Sequence, residues 1–200
     1  MLFRSVALAA ALHSDRCEIY TDVAGIYSAD PRVAPSARPL RDIGYDEMLE
    51  LATTGARVMH ARAVEVGALY DVEILVASTF DEAAPGTIIH RETTMEQANK
   101  VRGIAHQSQV AKVTVRAVPD RPGIAAHLFE PLAAAHISVD TIVQNVSRTG
   151  TTDVSFTVPK SDVSKTTGLK RKFTKKIKGG RVLEDRDIAR VSIEIGRAHV

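Results

Sequence analysis

The sequence predicts an amino-terminal α/β unit followed by a carboxyl-terminal α+β unit with the ferredoxin-like order βαββαβ. Apolar runs of helix and strand length alternate through the first half, as expected of a sheet covered by helices. In the second half, turn residues separate runs in the order strand, helix, two strands, helix and strand. A polar stretch at residues 91–109 lies between the two patterns and is predicted to be a linker.

The first unit, residues 6–90, is predicted to alternate helices and strands around one extended segment. Pro31, Pro35 and Pro39 predict that extended surface segment, because proline fixes φ and has no N–H group to donate. The predicted helices cover residues 6–12, a stretch from Tyr45 to just before Gly55, and residues 58–69. The predicted strands cover residues 17–21 and 72–78, and residues 85–89 are predicted to form a turn and a closing strand.

The second unit, residues 110–184, is predicted to place one face of each strand in a core. Val113, Val115 and Ala117 alternate along its first strand and are expected to point inward. The predicted strands cover residues 110–117, 137–146, 152–158 and 181–183, and the predicted helices cover residues 122–135 and 162–177. A further strand is predicted at residues 188–193, with poor support at one edge.

The composition indicates a globular chain of 200 residues, 44% hydrophobic and 25% charged, with a formal net charge of +2. The apolar run at residues 6–12 favours a buried helix over a signal peptide, because it leads directly into a predicted strand. The single cysteine, Cys17, is predicted to be buried in that strand. A buried free thiol fits a reducing cytoplasm, so a cytoplasmic location is expected.

Five short motifs, taken in order, resemble the aspartate kinase family. They are TDVAGIYSADPR at 21–32, MLELA at 48–52, GARVMH at 55–60, DRPGIAA at 120–126 and VQNVS at 143–147. The resemblance implies the carboxyl-terminal portion of an amino-acid-kinase domain at 6–90, an ACT regulatory domain at 110–184 and the first strand of an incomplete second ACT domain at 187–193. Residues 1–5 and 194–200 depart from the family pattern and are expected to be non-native ends.

The segment after the first strand carries side chains suited to a nucleotide. Tyr27 can border a purine or ribose, and Arg32 can donate a fork of N–H groups to phosphate oxygens, with Pro31 fixing the backbone beside it. From the residues alone, Asp22 as a strand-end cap and Arg32 as a surface charge stay open. The resemblance assigns ATP contacts to Thr21, Asp22, Tyr27, Ser28, Ala29, Asp30, Pro31 and Arg32.

The turn at residues 120–125 is predicted to bind an amino acid. Pro122 suits a first helical turn, and free N–H groups at Gly123, Ile124 and Ala125 could hold a carboxylate while Asp120 attracts an ammonium group. The alternative is a simple strand–helix turn capped by Asp120. By resemblance, the pocket binds lysine or threonine, usually between ACT domains, through Asp120, Pro122, Gly123, Ile124, Ala125, Gln144, Asn145, Thr151, Thr152 and Asp153.

The resemblance implies ATP-dependent phosphorylation of L-aspartate to 4-phospho-L-aspartate, the first step towards lysine, threonine and methionine, with Mg²⁺ carried by ATP. Lysine and threonine are the implied feedback effectors, and homo- or hetero-oligomers through ACT domains the implied assembly. The family's lysine-containing phosphate-binding strand and its Gly-Ser-Asp-Thr-Thr loop are not found here. No catalytic residue is therefore identified, and no turnover by this chain alone is expected.

Two other functions are weighed against the kinase. One is a non-catalytic regulatory subunit that binds amino acids, with Met95 near its possible start. The other is nucleic-acid binding by the basic run at residues 170–181, but Leu169, Phe173 and Ile177 recur every four residues and favour an amphipathic helix with solvated lysines. Neither a nucleic-acid partner nor a membrane is expected, and the seven histidines show no metal-binding spacing.

Overall fold

The computed structural model describes residues 2–56, 58–91, 101–145, 150–169, 173 and 181–195. The chain divides into two compact units, Met1–Gln107 with Val191–Val200, and Ser108–Arg190. Each unit has a hydrophobic core of its own. Within the described residues, every helix is too short or too polar to cross a membrane.

The described helices and strands are numbered in chain order. The helices are α1 (Leu2–Ala11), α2 (Tyr45–Thr54), α3 (Ala61–Tyr70), α4 (Ile124–Ala134) and α5 (Val163–Gly168), the last preceded by a 3₁₀ turn at Lys160–Asp162. The strands are β1 (Arg16–Thr21), β2 (Asp42–Gly44), β3 (Glu73–Ser78), β4 (Thr87–His90), β5 (Val101–Gln107), β6 (Val110–Pro119), β7 (Asp140–Gln144), β8 (Thr151–Pro159), β9 (Val182–Asp185) and β10 (Arg190–Ile195).

The first unit contains a four-stranded mixed sheet in the order β1-β3-β4-β2. β1 runs parallel to β3, so that their carboxyl ends, Thr21 and Ser78, lie side by side. β4 is antiparallel to β3 and parallel to β2. The predicted α/β class is confirmed. Fully buried apolar side chains from the sheet and from the helices pack together in one core. The largest side chains of this core are Val6, Ile43, Met48, Val64, Ile74, Val76 and Ile89.

The second unit is an antiparallel sheet in the order β7-β8-β6-β9 with the predicted α+β sequence of elements. The predicted pairing of the two strands between the helices, β7 and β8, is confirmed, with Val143 opposite Ser155. Phe129 of α4 meets Phe156 of β8 edge-to-face, with ring centroids 5.4 Å apart, which fixes how the helix lies on the sheet. Phe173, also predicted for this core, is fully buried.

The prediction that Ala117 points into the core is wrong. β6 carries a bulge between Val115 and Val118, and Ala117 has a φ of 55° and is exposed. The extra residue shifts the alternation by one position, so Val118 is buried in place of Ala117. Asp153 stabilises the bulge by accepting the Ala117 N–H at 2.9 Å.

The prediction of a linker at residues 91–109 is also wrong in its second half. Residues 101–107 form β5, which pairs with β10 in a two-stranded sheet. Gly103 lies so close to α2 that an added Cβ would be 3.1 Å from the Leu51 side chain, and Ala105 is buried. Packing against α2 therefore makes a strand of a segment whose sequence has no clear period. Residues 92–100, including Met95, lie outside the described residues.

Three helix starts differ from their predictions, each for a local reason. α1 begins at Leu2, where Leu2 packs against the core. α3 begins at Ala61 because His60 caps it, its Nδ1 accepting the Arg62 N–H at 3.2 Å. α4 begins at Ile124 because Gly123 has a φ of 83° and cannot be helical. Most of the predicted helix at 162–177, with the basic residues at 170–178, lies outside the described residues.

Gly25 occupies a position that only glycine fits. Its φ is 136°, and a Cβ added there would lie 2.5 Å from the Thr87 Oγ1 and 3.1 Å from the Thr87 backbone nitrogen. Thr87 is itself fully buried at the start of β4. The chain leaving β1 therefore passes directly over Thr87, and this close approach depends on the absence of a side chain at position 25.

Gly25→Ala is expected to lower the free energy of unfolding of the first unit by about 2–4 kcal/mol, because it combines backbone strain with a steric clash. Urea denaturation followed by tyrosine fluorescence measures this, since all four tyrosines lie within residues 1–107. Gly103→Ala is the control, with an expected loss of about 1 kcal/mol or less, since its Cβ meets only the flexible Leu51 side chain. Equal losses in the two variants would contradict the proposed constraint.

Candidate functional site

The residues predicted to contact ATP follow β1 at the edge where β1 and β3 end. Thr21 is the last residue of β1, and its carbonyl accepts the Thr79 N–H at 2.8 Å. Its hydroxyl donates to Asp22 Oδ1 at 3.0 Å, and Asp22 is exposed. Thr21 and Asp22 therefore lie where the parallel strands β1 and β3 end, and their contact with ATP stays a prediction.

A closed loop begins a few residues later. Leu40 N–H donates to Ile26 O at 2.8 Å, and Ser28 N–H donates to Arg38 O at 2.8 Å. Tyr27 pairs with Pro39 between these two bonds. We call residues 26–28 and 38–40 the neck. Residues 28–38 form the loop that the neck closes, and Ser28 and Arg38 belong to both because their hydrogen bond closes the loop. Tyr27 and Ser28 belong to the neck, and Ala29, Asp30, Pro31 and Arg32 follow in the loop.

Thr87 holds the two sides of the neck together. Its Oγ1 accepts the Ile26 N–H at 2.8 Å and donates to the Leu40 carbonyl at 2.5 Å. Sequence reasoning missed this residue, because Pro85, Gly86 and Thr87 were interpreted only as a turn before a strand. A threonine after a turn carries no signal that its hydroxyl reaches residues 47 and 61 positions away.

Inside the loop, Asp30 and Arg32 bind each other. Arg32 Nε donates to Asp30 Oδ1 at 3.0 Å and Nη2 donates to Oδ2 at 2.8 Å, while the Arg32 backbone N–H donates to Oδ1 at 2.9 Å. These bonds lower the pKa of Asp30 to about 2. Asp30 thus occupies one edge of the guanidinium and makes no contact with Nη1, and a phosphate contact by Arg32 stays a prediction.

A cavity of about 490 Å³ lies between the loop and β5. Of the predicted ATP residues, only Ser28 and Ala29 line it, together with others such as Arg38 and Arg102. β5 forms its wall: Ile104 N–H donates to Ser28 O at 2.7 Å, and Arg102 Nε lies 3.5 Å from Glu47 Oε2 of α2. This wall was not predicted, because β5 lies in the segment that the sequence predicts to be a linker.

In the second unit, the predicted effector turn is open, but Asp120 does not cap α4. Gly123 is the residue before the helix, with no side-chain cap, so the interpretation of Asp120 as the cap is wrong. The Ile124 N–H donates to Arg121 O at 3.3 Å and is not free for a ligand as predicted. Asp120, Pro122, Gly123 and Ala125 are all exposed, and the Asp120 N–H donates to Gly150 O at 3.0 Å.

The other predicted effector residues lie at the same end of this sheet. β6 and β7 end where β8 begins, so that Pro119 pairs with Thr151 and Gln144 with Val154. The buried Thr152 hydroxyl donates to the carbonyl of Asn145 at 2.5 Å, and Gln144 and Asn145 are exposed.

Asp153 already has protein partners at this end of the sheet. Besides the Ala117 N–H, it accepts Arg116 Nε at 3.0 Å, and these contacts lower the pKa of its carboxyl group, the backbone bond most strongly. Its role here is to hold the bulge of β6. A ligand contact by Asp153 stays a prediction.

Comparison with known proteins agrees with this division. A model of the amino acid kinase family matches residues 4–78, and a model of the ACT domain matches residues 113–175. The aspartate kinase of Pseudomonas putida is 45% identical over 190 residues, which are 94% of this chain and 46% of the relative. The chain thus spans just under half the length of the curated relatives that it matches.

Two solved structures of E. coli aspartokinase III are also similar. The complex with lysine and aspartate (T-state) is 30% identical with a TM-score of 0.73, and the complex with aspartate and ADP (R-state) is 28% identical with a TM-score of 0.75. Each comparison covers 96% of this chain and 42% of the solved chain. The similarity therefore extends over both units.

The Asp30–Arg32 contact predicts a measurable titration. The pKa of Asp30 is lowered from its ordinary 3.8 to about 2, so the stabilising contribution of the contact is complete above 3.8 and is lost as the pH falls through 2. Arg32→Gln is expected to return the Asp30 pKa towards 3.8, whereas Arg38→Gln in the same loop leaves it low. Carboxyl ¹³C NMR titration measures both, and an ordinary Asp30 pKa in the unmodified chain would contradict the contact.

Proposed function

Because the chain belongs to the aspartate kinase family, we propose that the whole protein transfers the γ-phosphate of ATP to the β-carboxylate of L-aspartate. The observation that carries this proposal is the closed loop after β1, which holds the family's motif at the open end of the sheet. The product is 4-phospho-L-aspartate, which would make this the first step towards lysine, threonine and methionine.

In this proposal the loop binds the nucleotide, and catalysis of phosphoryl transfer requires family segments that this sequence lacks. Tyr27 would border the base or ribose, and Arg32 would donate through Nη1 to a phosphate oxygen. Thr21, Asp22, Ser28, Ala29, Asp30 and Pro31 complete the proposed ATP contacts. Mg²⁺ would arrive bound to the ATP phosphates. Positioning and charge stabilisation of the transferred phosphoryl group require the lysine strand and glycine-rich loop that this sequence lacks.

A cytoplasmic location is part of the proposal. Cys17 is a buried free thiol, and its burial is the main reason that its pKa is raised. A buried, protonated thiol has a structural role and is compatible with a reducing compartment.

The chain alone is expected to bind ADP without catalysing turnover. Isothermal titration should show saturable ADP binding that Arg32→Gln weakens by about tenfold, since a charged hydrogen bond to phosphate is lost. Arg62→Gln is the control, because Arg62 is an exposed arginine of α3 that lies outside the loop and does not line the cavity. A coupled assay should show no aspartate-dependent ADP release. Binding that is indifferent to Arg32→Gln would contradict the site, and turnover by the pure chain would contradict its proposed dependence on the missing segments.

The second unit is proposed to sense lysine, threonine or both. The Gly123 and Ala125 N–H groups would hold the effector's carboxylate, and the exposed carboxylate of Asp120 would attract its ammonium group. Ile124, Gln144, Asn145, Thr151 and Thr152 would surround it, in an oligomer formed through ACT domains. An effector that binds one arrangement of these domains more tightly would shift the equilibrium between active and inactive arrangements of the kinase, by about 1–3 kcal/mol.

Gly123→Asp is expected to abolish effector binding, because it places a carboxylate where the effector's own carboxylate would lie. Gly123→Ala is the matched control: it imposes similar backbone strain at a φ of 83° without the charge, and no heavy atom lies within 4 Å of either Cβ. Isothermal titration with L-threonine and L-lysine, separately and together, measures both variants. Equal affinity of Gly123→Asp and Gly123→Ala for the effector would refute the charge argument.

A non-catalytic regulatory module is the second candidate function. Its support is the self-contained core of the unit Ser108–Arg190, with Val113, Leu128 and Phe156 buried. The two titrations distinguish the candidates. Binding of threonine or lysine without ADP binding would favour the module, whereas binding of ADP favours a piece of the kinase.

A further inference from the structure

We propose that Thr87 is a positioning residue for the nucleotide loop, and that its hydroxyl group, not its volume, sets the orientation of the neck. This inference rests on the proposed function only for the ligand that the loop binds. Thr87 itself lies outside the motif that resembles the family and outside the cavity between the loop and β5.

The first argument is the hydrogen bonding of the hydroxyl. A threonine hydroxyl has one proton to donate and lone pairs to accept. Here the proton goes to Leu40 O at 2.5 Å, and a lone pair accepts the Ile26 N–H at 2.8 Å. Both capacities are therefore used, one on each side of the neck. Thr87 and Ile26 are buried, so water cannot replace the bond between them without a rearrangement.

The second argument is the close fit around Thr87. Gly25 passes over it with room for no Cβ, and the direct neck bond from Leu40 N–H to Ile26 O lies beside it. An isosteric valine fills the same space but leaves the Ile26 N–H and the Leu40 carbonyl without their partner. The neck must then move to satisfy the Ile26 N–H, because this bond is buried and an unsatisfied buried polar group is unfavourable.

The third argument is how the loop beyond the neck is held. Its described hydrogen bonds are mostly internal, from Arg32 to Asp30 and from Val33 and Ala34 to the Asp30 carbonyl. The tip of the loop thus keeps its shape, and its placement relative to the ends of β1 and β3 is set at the neck. Loss of the Thr87 hydroxyl would move Tyr27 and Arg32 together, away from the base or ribose and the phosphate that they are proposed to contact.

The test compares Thr87→Val and Thr87→Ser in the whole 200-residue chain. Valine keeps the volume and removes the hydroxyl, whereas serine keeps the hydroxyl and removes a methyl group. Thr87→Val is expected to weaken ADP binding by about tenfold, and Thr87→Ser to bind within about twofold of the unmodified chain. Thr87→Ala, which relieves the contact with Gly25, replaces Thr87→Val if circular dichroism shows that the valine variant does not fold.

Limited trypsin digestion gives a second readout that does not require ADP. Cleavage after Arg32, in the exposed part of the loop, should accelerate in the hydroxyl-free variant and not in Thr87→Ser. Cleavage after the exposed Lys165 of the second unit is the internal reference. Equal acceleration at both sites would indicate general unfolding and overturn the inference, as would an unchanged rate at Arg32.

The two readouts separate this inference from the proposed function. If the unmodified chain binds ADP and the hydroxyl-free variant binds equally well, the inference is overturned whatever trypsin shows. If the unmodified chain binds no ADP, nucleotide binding by this chain is refuted, and the cleavage rate at Arg32 alone decides whether Thr87 positions the loop.

Discussion

The contact between Gly25 and the buried Thr87 is the constraint on which the first unit's candidate site depends. The chain can cross from β1 into the neck only because position 25 has no side chain, and it stays there because Thr87 bonds both Ile26 and Leu40. Thr87 lies 61 residues after Ile26 and 47 residues after Leu40 in the sequence. The geometry of a motif that looks local therefore also depends on a residue of β4, which lies far from it in the sequence.

Both units use an aspartate–arginine pair with a backbone N–H to shape the segment next to a predicted site. Asp30 binds the guanidinium and the N–H of Arg32, and Asp153 binds the Arg116 guanidinium and the Ala117 N–H. In each case the carboxylate's pKa is lowered and its oxygens are engaged by the protein. Asp30 and Asp153, which look like ligand contacts in the sequence, thus shape the protein's own backbone, and a ligand contact by either residue stays a prediction.

Much of the fold could be predicted from the sequence, because the spacing of apolar residues indicates which face of each helix or strand is buried. The pairing of Val143 with Ser155 and the burial of Phe173 were predictable in this way. Three features were not. The bulge at Ala117 depends on the Asp153 carboxylate, 36 residues away in the sequence, and β5 forms by pairing with β10 and packing on α2. The role of Thr87 depends on where one hydroxyl lies in the assembled sheet, which no residue pattern encodes. The placement of the family's domain boundaries and ligand contacts stays a prediction.

The strands that flank the second unit in the sequence both belong to the first unit. β5 leads into residues 108–190 and β10 leads out, and the two pair with each other. β5 also donates the Ile104 N–H to Ser28 at the base of the loop, and its Arg102 pairs with Glu47 at the start of α2. β5 therefore supports the base of the loop through Ser28 and contacts α2 through Glu47, so a segment whose sequence predicts a linker forms one wall of the cavity.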